Sequence, residues 1–223
     1  MMQENTYCNP IGITGIGDPY VLRTPQGKYF LYATSAPDGF LCWESDDLVH
    51  WRARGYCYKA GENAWGERDF WAPECYLIDG KYYLFYSAHN KVNPNNELEN
   101  YCIGCAVADD PAGPFADICG DRPLIQMPYA IIDANILRDD QGQVVRDADG
   151  NLTLYYSRCC YKHKVGPYEE AHIYAVKLSG DCTHIVGNPR CVLVPEQPWE
   201  GWSAPTTGRR WTEGALTLLH NGK

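Results

Sequence analysis

Gly80-Lys-Tyr-Tyr-Leu-Phe-Tyr-Ser-Ala88 is a turn glycine followed by a run of aromatic and aliphatic residues, and the chain repeats it. Gly27-Lys-Tyr-Phe-Leu-Tyr-Ala-Thr-Ser35 and Gly150-Asn-Leu-Thr-Leu-Tyr-Tyr-Ser-Arg158 have the same form, and Asn221-Gly222-Lys223 begins a fourth copy. Runs of this composition behind a turn residue are strands. Each is preceded by a second apolar run, at 20–23, 75–78, 135–138 and 215–219, so every unit opens with a hairpin. Outer strands follow. Phe40-Leu-Cys-Trp-Glu-Ser-Asp-Asp-Leu-Val-His-Trp51 matches Cys102-Ile-Gly-Cys-Ala-Val-Ala-Asp-Asp-Pro-Ala-Gly-Pro-Phe115 as a strand, an Asp-Asp turn and an aromatic, and His172–Leu178 takes the same place in the third unit. A fixed self-similar period comes before any other reading of a chain. Four short strands per unit, repeated, is the grammar of a β-propeller blade. A β-sandwich would leave the recurring hairpins unexplained.

Counting back nine positions from a turn glycine reaches Asp18 from Gly27, Asp133 from Gly142 and Glu213 from Gly222. The same count from Gly80 reaches Trp71. The third unit carries an insertion from Gln143 to Gly150, and Gly142 is the nearer of its two turn glycines. The first strand of each blade lines the central channel, so equivalent positions gather at one mouth. The register predicts three carboxylates and one aromatic around a single pocket. Glycoside hydrolysis needs such a set: one carboxylic acid protonates the leaving oxygen and one carboxylate activates water from the opposite face. A third tunes the others by like-charge repulsion.

The composition narrows the alternatives. The formal net charge is −9 with Lys and Arg scattered, which excludes a nucleic-acid footprint. No window of about 18 apolar residues exists, so no membrane span is expected. The opening Met-Met-Gln-Glu-Asn-Thr-Tyr lacks the regions of a signal peptide, and a cytoplasmic location is the expectation. The 11 cysteines are then expected as reduced thiols. Cys102 and Cys105 form a lone C-x-x-C on a strand, where residues three apart face opposite ways and cannot share a metal. Cys159 and Cys160 receive the same reading, and no metal ligand set is assigned.

The motifs Gly17-Asp18-Pro19-Tyr20, Phe70-Trp71-Ala72-Pro73-Glu74, Ile132-Asp133-Ala134 and Trp211-Thr212-Glu213-Gly214, in this order and spacing, resemble glycoside hydrolase family 43. Those are five-bladed propeller β-xylosidases, α-L-arabinofuranosidases and arabinanases. The resemblance implies that Asp18 is the general base, Asp133 the pKa modulator and Glu213 the general acid of an inverting hydrolysis. It implies that Trp71 stacks on the sugar, with Glu74 structural. It implies no required cofactor, although the complete family fold allows a structural calcium ion. Arg158 and His172 are further candidates for sugar hydroxyls, and Trp199 and Trp202 for a second subsite. Ala215 stands where the family's acid motif usually has proline.

The expectation is therefore an all-β chain, a five-bladed β-propeller that is incomplete, with about three blades plus the start of a fourth in a single partial catalytic domain over 1–223. The strand Ala215–Leu219 is expected to have an unpaired edge and to hold Glu213 loosely, leaving the chain weakly active and prone to associate. The substrate is an oligosaccharide or small glycoside carrying β-D-xylose or α-L-arabinofuranose, and the oligomeric state is open. Two other functions fit the same residues. One is a non-catalytic sugar-binding propeller. The other is a propeller phosphorylase, for which Arg209 and Arg210 beside Glu213 would supply a phosphate site.

Overall fold

The computed structural model describes residues 11–202 and 208–223, so the N-terminal stretch read above against a signal peptide lies outside the described residues. The first blade is the antiparallel sheet β1 (Gly17–Arg23), β2 (Tyr29–Thr34), β3 (Gly39–Ser45) and β4 (Trp51–Lys59), in that order. The second repeats it with β5 (Gly66–Ile78), β6 (Lys81–Asn90), β7 (Tyr101–Ala108) and the short β8 (Ala116–Asp117). In the third, β9 (Ile131–Ile136) is followed by a two-residue strand β10 (Arg138–Asp139), then β11 (Leu152–Arg158). Two short strands, β12 (Lys164–Val165) and β13 (Tyr168–Glu170), precede β14 (His172–Leu178) and β15 (Ile185–Leu193). The sheet order is β9-β11-β14-β15, the same up-and-down sequence read from the inside outward. A 3₁₀ turn at Pro198–Glu200 leads into β16 (Gly201–Trp202) and β17 (Gly208–Arg210), and β18 (Leu218–Leu219) opens the fourth unit.

The first strands of the three blades neighbour one another: β1 packs on β5, and β5 on β9. The faces between blades are filled by the aromatics that gave the repeat its signature. Phe40 meets Phe70 and Tyr86 edge-on, at 6.0 and 5.5 Å between ring centroids, and Trp65 stacks on Tyr86 at 5.6 Å. Buried phenols need partners. Tyr58 and Tyr86 both donate to Asp117, at 2.9 and 2.5 Å, and the Trp65 indole donates to the Tyr86 hydroxyl at 2.9 Å. Gly104 makes that stack fit, because a Cβ there would lie 2.6 Å from both the Trp65 and Tyr86 rings. Cys102 and Cys105 are both buried in β7.

Two kinds of turn close the inner hairpins. Thr24 to Lys28 is a five-residue turn, with Thr24 N–H donating to Lys28 C=O (2.8 Å) and Gly27 N–H to Thr24 C=O (2.9 Å). The third blade uses that turn twice, at Asp139–Gln143 and Asp147–Asn151, so the insertion is a small extra excursion with its own bridges, Arg138 to Val144 and Arg146 to Leu152. Asp79-Gly80 and Asn221-Gly222 are two-residue turns with both residues at positive φ, the type I′ geometry that matches strand twist.

The opening of the fourth unit differs from the loose edge expected of it. Leu218–Leu219 pairs in parallel with Arg138–Asp139. Upstream, β17 runs parallel to β13, and the Trp211 indole donates to Cys160 Sγ at 3.1 Å. Thr217 donates from its backbone N–H (3.0 Å) and its hydroxyl (2.6 Å) to Asn135 Oδ1. The segment carrying Glu213 is thus fastened to the third blade on both sides of the carboxylate.

Candidate active site

Each inner hairpin is interrupted at the same place by a bulge, where two residues oppose one. Gly17 pairs with Thr34 and Tyr20 with Tyr32; Trp71 pairs with Ser87 and Glu74 with Phe85; Ile132 pairs with Ser157 and Asn135 with Tyr155. The first bulged residue is left-handed in every case: Asp18 at φ 49°, Ala72 at 44°, Asp133 at 57°, with Gly214 at 65° in the fourth unit. Asp tolerates this region better than most non-glycine residues, and a bulge re-aims a side chain away from the ladder.

The bulge also turns the backbone N–H outward, and the preceding blade receives it. Ala72 N–H donates to Thr34 Oγ1 (2.9 Å), Asp133 N–H to Ser87 Oγ (3.0 Å) and Gly214 N–H to Ser157 Oγ (3.1 Å). Two of these hydroxyls pass their own proton to the aspartate of their blade. Thr34 donates to Asp18 Oδ2 at 2.6 Å and Ser157 to Asp133 Oδ2 at 3.3 Å. Each catalytic-type aspartate is therefore held by a hydroxyl that is itself fixed by the next blade.

This geometry corrects the register counted from the sequence. Asp18 and Asp133 are equivalent, but their partner in the second blade is Ala72, not Trp71, and in the fourth unit Gly214, not Glu213. Trp71 and Glu213 stand one position earlier. The five-residue turns place their glycine nine after the bulge (27 − 18 and 142 − 133), and the two-residue turns eight (80 − 72 and 222 − 214). A fixed count of nine slips by one wherever the turn is shorter.

Despite that offset, Asp18, Asp133 and Glu213 line one cavity of about 460 Å³, together with Pro19, Tyr20, Ala72, Pro73, Glu74 and Ala215. Burial pushes the Asp133 carboxyl up to about 6, the nearby Asp18 charge adds to this, and the bonds from Ser157 and Gly214 oppose it. Burial also lifts Glu213 to about 7, with the Asp133 charge second, although solvent still reaches its open side. Among the described residues the Glu213 carboxyl has no hydrogen bond or ion pair, so its proton is free to be given away.

Glu74 is a fourth carboxyl on the same wall. Burial raises it to about 7, while the Tyr76 and Asn135 hydrogen bonds pull it back. Its Oε2 accepts from the Tyr76 hydroxyl and from Asn135 Nδ2 (2.9 Å), which turns Asn135 Oδ1 toward Thr217. Glu74 thereby orients the amide that anchors the Glu213 segment.

The other candidates fall outside this cavity. Trp71 stacks on Tyr101, with ring centroids 4.6 Å apart, beside the carboxylates and not in their wall. Arg158 lies over the Tyr129 ring in a neighbouring cleft. His172 is buried and directs Nε2 to Glu170 at 2.9 Å, so the sugar contact expected of it is replaced by an internal one. Trp199 is exposed, and the Trp202 side chain lies outside the described residues. No cluster of three or more His, Cys, Asp and Glu among the described residues is arranged to hold a metal ion.

The model for glycosyl hydrolases family 43 matches residues 7–223. A β-xylosidase of Xylanibacter ruminicola is 25% identical over 224 residues, spanning 89% of this chain and 66% of its own. The xylosidase/arabinosidase 43A of Humicola insolens is 35% identical over 191 residues, spanning 76% and 53%. The crystal structure of a thermostable family-43 glycoside hydrolase superposes with a TM-score of 0.77 at 36% identity, over 94% of this chain and 62% of that one. The chain thus spans between about half and two thirds of the length of these relatives.

Proposed function

The chain belongs to glycosyl hydrolase family 43, and from that premise we propose that the protein hydrolyses β-D-xylosides or α-L-arabinofuranosides of plant polysaccharide fragments with inversion at the anomeric carbon. The observation that carries this reading is the meeting of Asp18, Asp133 and Glu213 on one cavity, with Glu213 raised to about 7. Glu213 is the acid that protonates the leaving oxygen. Asp18, held by Thr34, is the base that takes a proton from the attacking water. Asp133 holds its charge between them and keeps Glu213 protonated near neutrality, the separation of acid and base by environment that such sites require.

A purely sugar-binding propeller has no need of an unbonded acid poised near 7. A phosphorylase needs cationic groups free to meet phosphate. Arg209 is engaged by Glu169 (3.1 Å) and Arg210 by Glu170 (3.5 Å), and neither lines the carboxylate cavity. Release of free pentose from aryl β-D-xylosides and α-L-arabinofuranosides, measured with and without inorganic phosphate, tests the proposal. The expected result is pentose release indifferent to phosphate. Formation of a pentose 1-phosphate, or binding without turnover, would overturn it.

A further inference from the structure

The first strands of the blades carry carboxylates toward one end and arginines toward the other. Arg23 is the last residue of β1, and Arg138 opens β10 just beyond β9. Both line a cavity of about 280 Å³, with Tyr20, Tyr76, Gln141 and Gln143 among its other walls. Tyr20 also lines the carboxylate cavity, so the two spaces share that residue and lie toward opposite ends of the same strands.

Arg138 is fixed in place with part of its donor set unused. Nη1 donates to the Tyr20 hydroxyl at 2.9 Å, and Cζ lies 5.3 Å from the centroid of the Tyr20 ring and 5.6 Å from that of Tyr76. Among the described residues, the buried Nε has no partner and Nη2 makes no hydrogen bond. The Nε–H and Nη2–H bonds point the same way, and together they are the planar fork that takes two oxygens of a carboxylate or a phosphate. Arg23, exposed at the rim, is likewise in no ion pair among the described residues. Arg52, Arg54, Arg68 and Arg146, by contrast, each meet a carboxylate.

No acidic residue lines this cavity, in a chain whose formal net charge is −9. Asp139, next to Arg138, turns Oδ1 to the N–H groups of Gln141 (3.0 Å) and Gln143 (2.8 Å), so that oxygen serves the turn and not the guanidinium. Two cations therefore face one space with no counter-charge in its wall. The side-chain amides of Gln141 and Gln143 add donors at its rim.

We propose that this cavity binds the oxyanion group of a small acid, a carboxylate or a phosphate, as a second ligand site separate from the sugar site. Arg138 takes two oxygens of the group through its Nε and Nη2 fork once the exposed side chains of Gln141 and Gln143 part to admit it, and Arg23 supplies the second charge. The inference is independent of the hydrolysis proposed above, because neither arginine lines the carboxylate cavity. Arg138 also pairs through its backbone with Leu218, so an occupied site strengthens the junction between the third blade and the fourth unit.

The test is calorimetric titration of the protein with inorganic phosphate and, separately, with acetate, each against sodium chloride at matched ionic strength. One of the two anions should bind at a single saturable site with a Kd of about 1 mM or tighter, and should raise the melting temperature with its concentration. The tighter of the two identifies the group as phosphate or carboxylate. Arg138→Gln should weaken that binding by roughly tenfold or more, about what a charge-assisted hydrogen bond contributes. Arg138→Lys keeps the charge without the fork and should restore only a minor part of it. Arg23→Gln alters an exposed side chain, leaves the fold intact and should weaken binding several-fold. Saturable binding by neither anion, an equal response to chloride, or an affinity that survives Arg138→Gln would overturn the inference. If Arg138→Gln does not fold, an unchanged affinity in Arg23→Gln would overturn it instead.

Discussion

Asp18→Asn is expected to lower kcat on xylosides or arabinofuranosides by roughly 10²–10⁴-fold, the range that a positioned general base supplies. Sugar affinity should change only a few-fold. Asparagine has the size of aspartate and tolerates the left-handed backbone that the bulge imposes at φ 49°. Its amide oxygen still accepts from Thr34, so the hydroxyl continues to receive the Ala72 N–H and the first two blades stay clasped. What is lost is the ability to take a proton from water. Steady-state kinetics together with sugar titration separate the two effects. A parallel loss of binding and turnover would mean that Asp18 positions the sugar and is not the base.

Glu213→Gln is the second large effect, and its size depends on the substrate. A leaving group that is a poor anion needs the acid's proton, and loss of the acid costs roughly 10²–10⁴-fold there. An activated aryl leaving group departs with little protonation and should lose far less. The pH profile supplies an independent sign. The acid is competent only while protonated, so kcat/KM of the wild-type protein is present below about 7 and is lost as the pH rises through it. That limb should vanish in Glu213→Gln. It should move to lower pH in Asp133→Asn, because the Asp133 charge is one of the two causes that raise Glu213. Equal losses on both kinds of leaving group, or an unchanged limb, would remove Glu213 from the role.

The repeat made the blades legible, because a turn glycine and an aromatic run recur wherever an inner hairpin must bury itself between neighbours. Asp18 and Asp133 were legible for the same reason: both precede a five-residue turn, and the count is preserved. Trp71 and Glu213 slipped by one because turn length is a local choice that a fixed count ignores. The hydroxyl clasp was present in the quoted runs, as Thr34, Ser87 and Ser157 at the same place in each, seven residues after the turn glycine, but its purpose appears only when the next blade's N–H is seen to reach it. Glu74 could not be weighed from its motif, since its importance comes from Asn135 and Thr217, 61 and 143 positions away. Arg158 was singled out for sugar, yet only the fold shows that it lines a separate cleft and not the carboxylate cavity.

The central claim is that Asp18 drives water onto the face of the sugar opposite the bond that Glu213 protonates. The most direct measurement is the anomer first released, followed by proton NMR before mutarotation mixes the two forms. An inverting site of this kind predicts that a β-D-xyloside gives α-xylose first, or that an α-L-arabinofuranoside gives β-arabinofuranose first. Initial appearance of the anomer that matches the substrate would show a covalent, retaining route and contradict the assignment of Asp18 as a base acting through water.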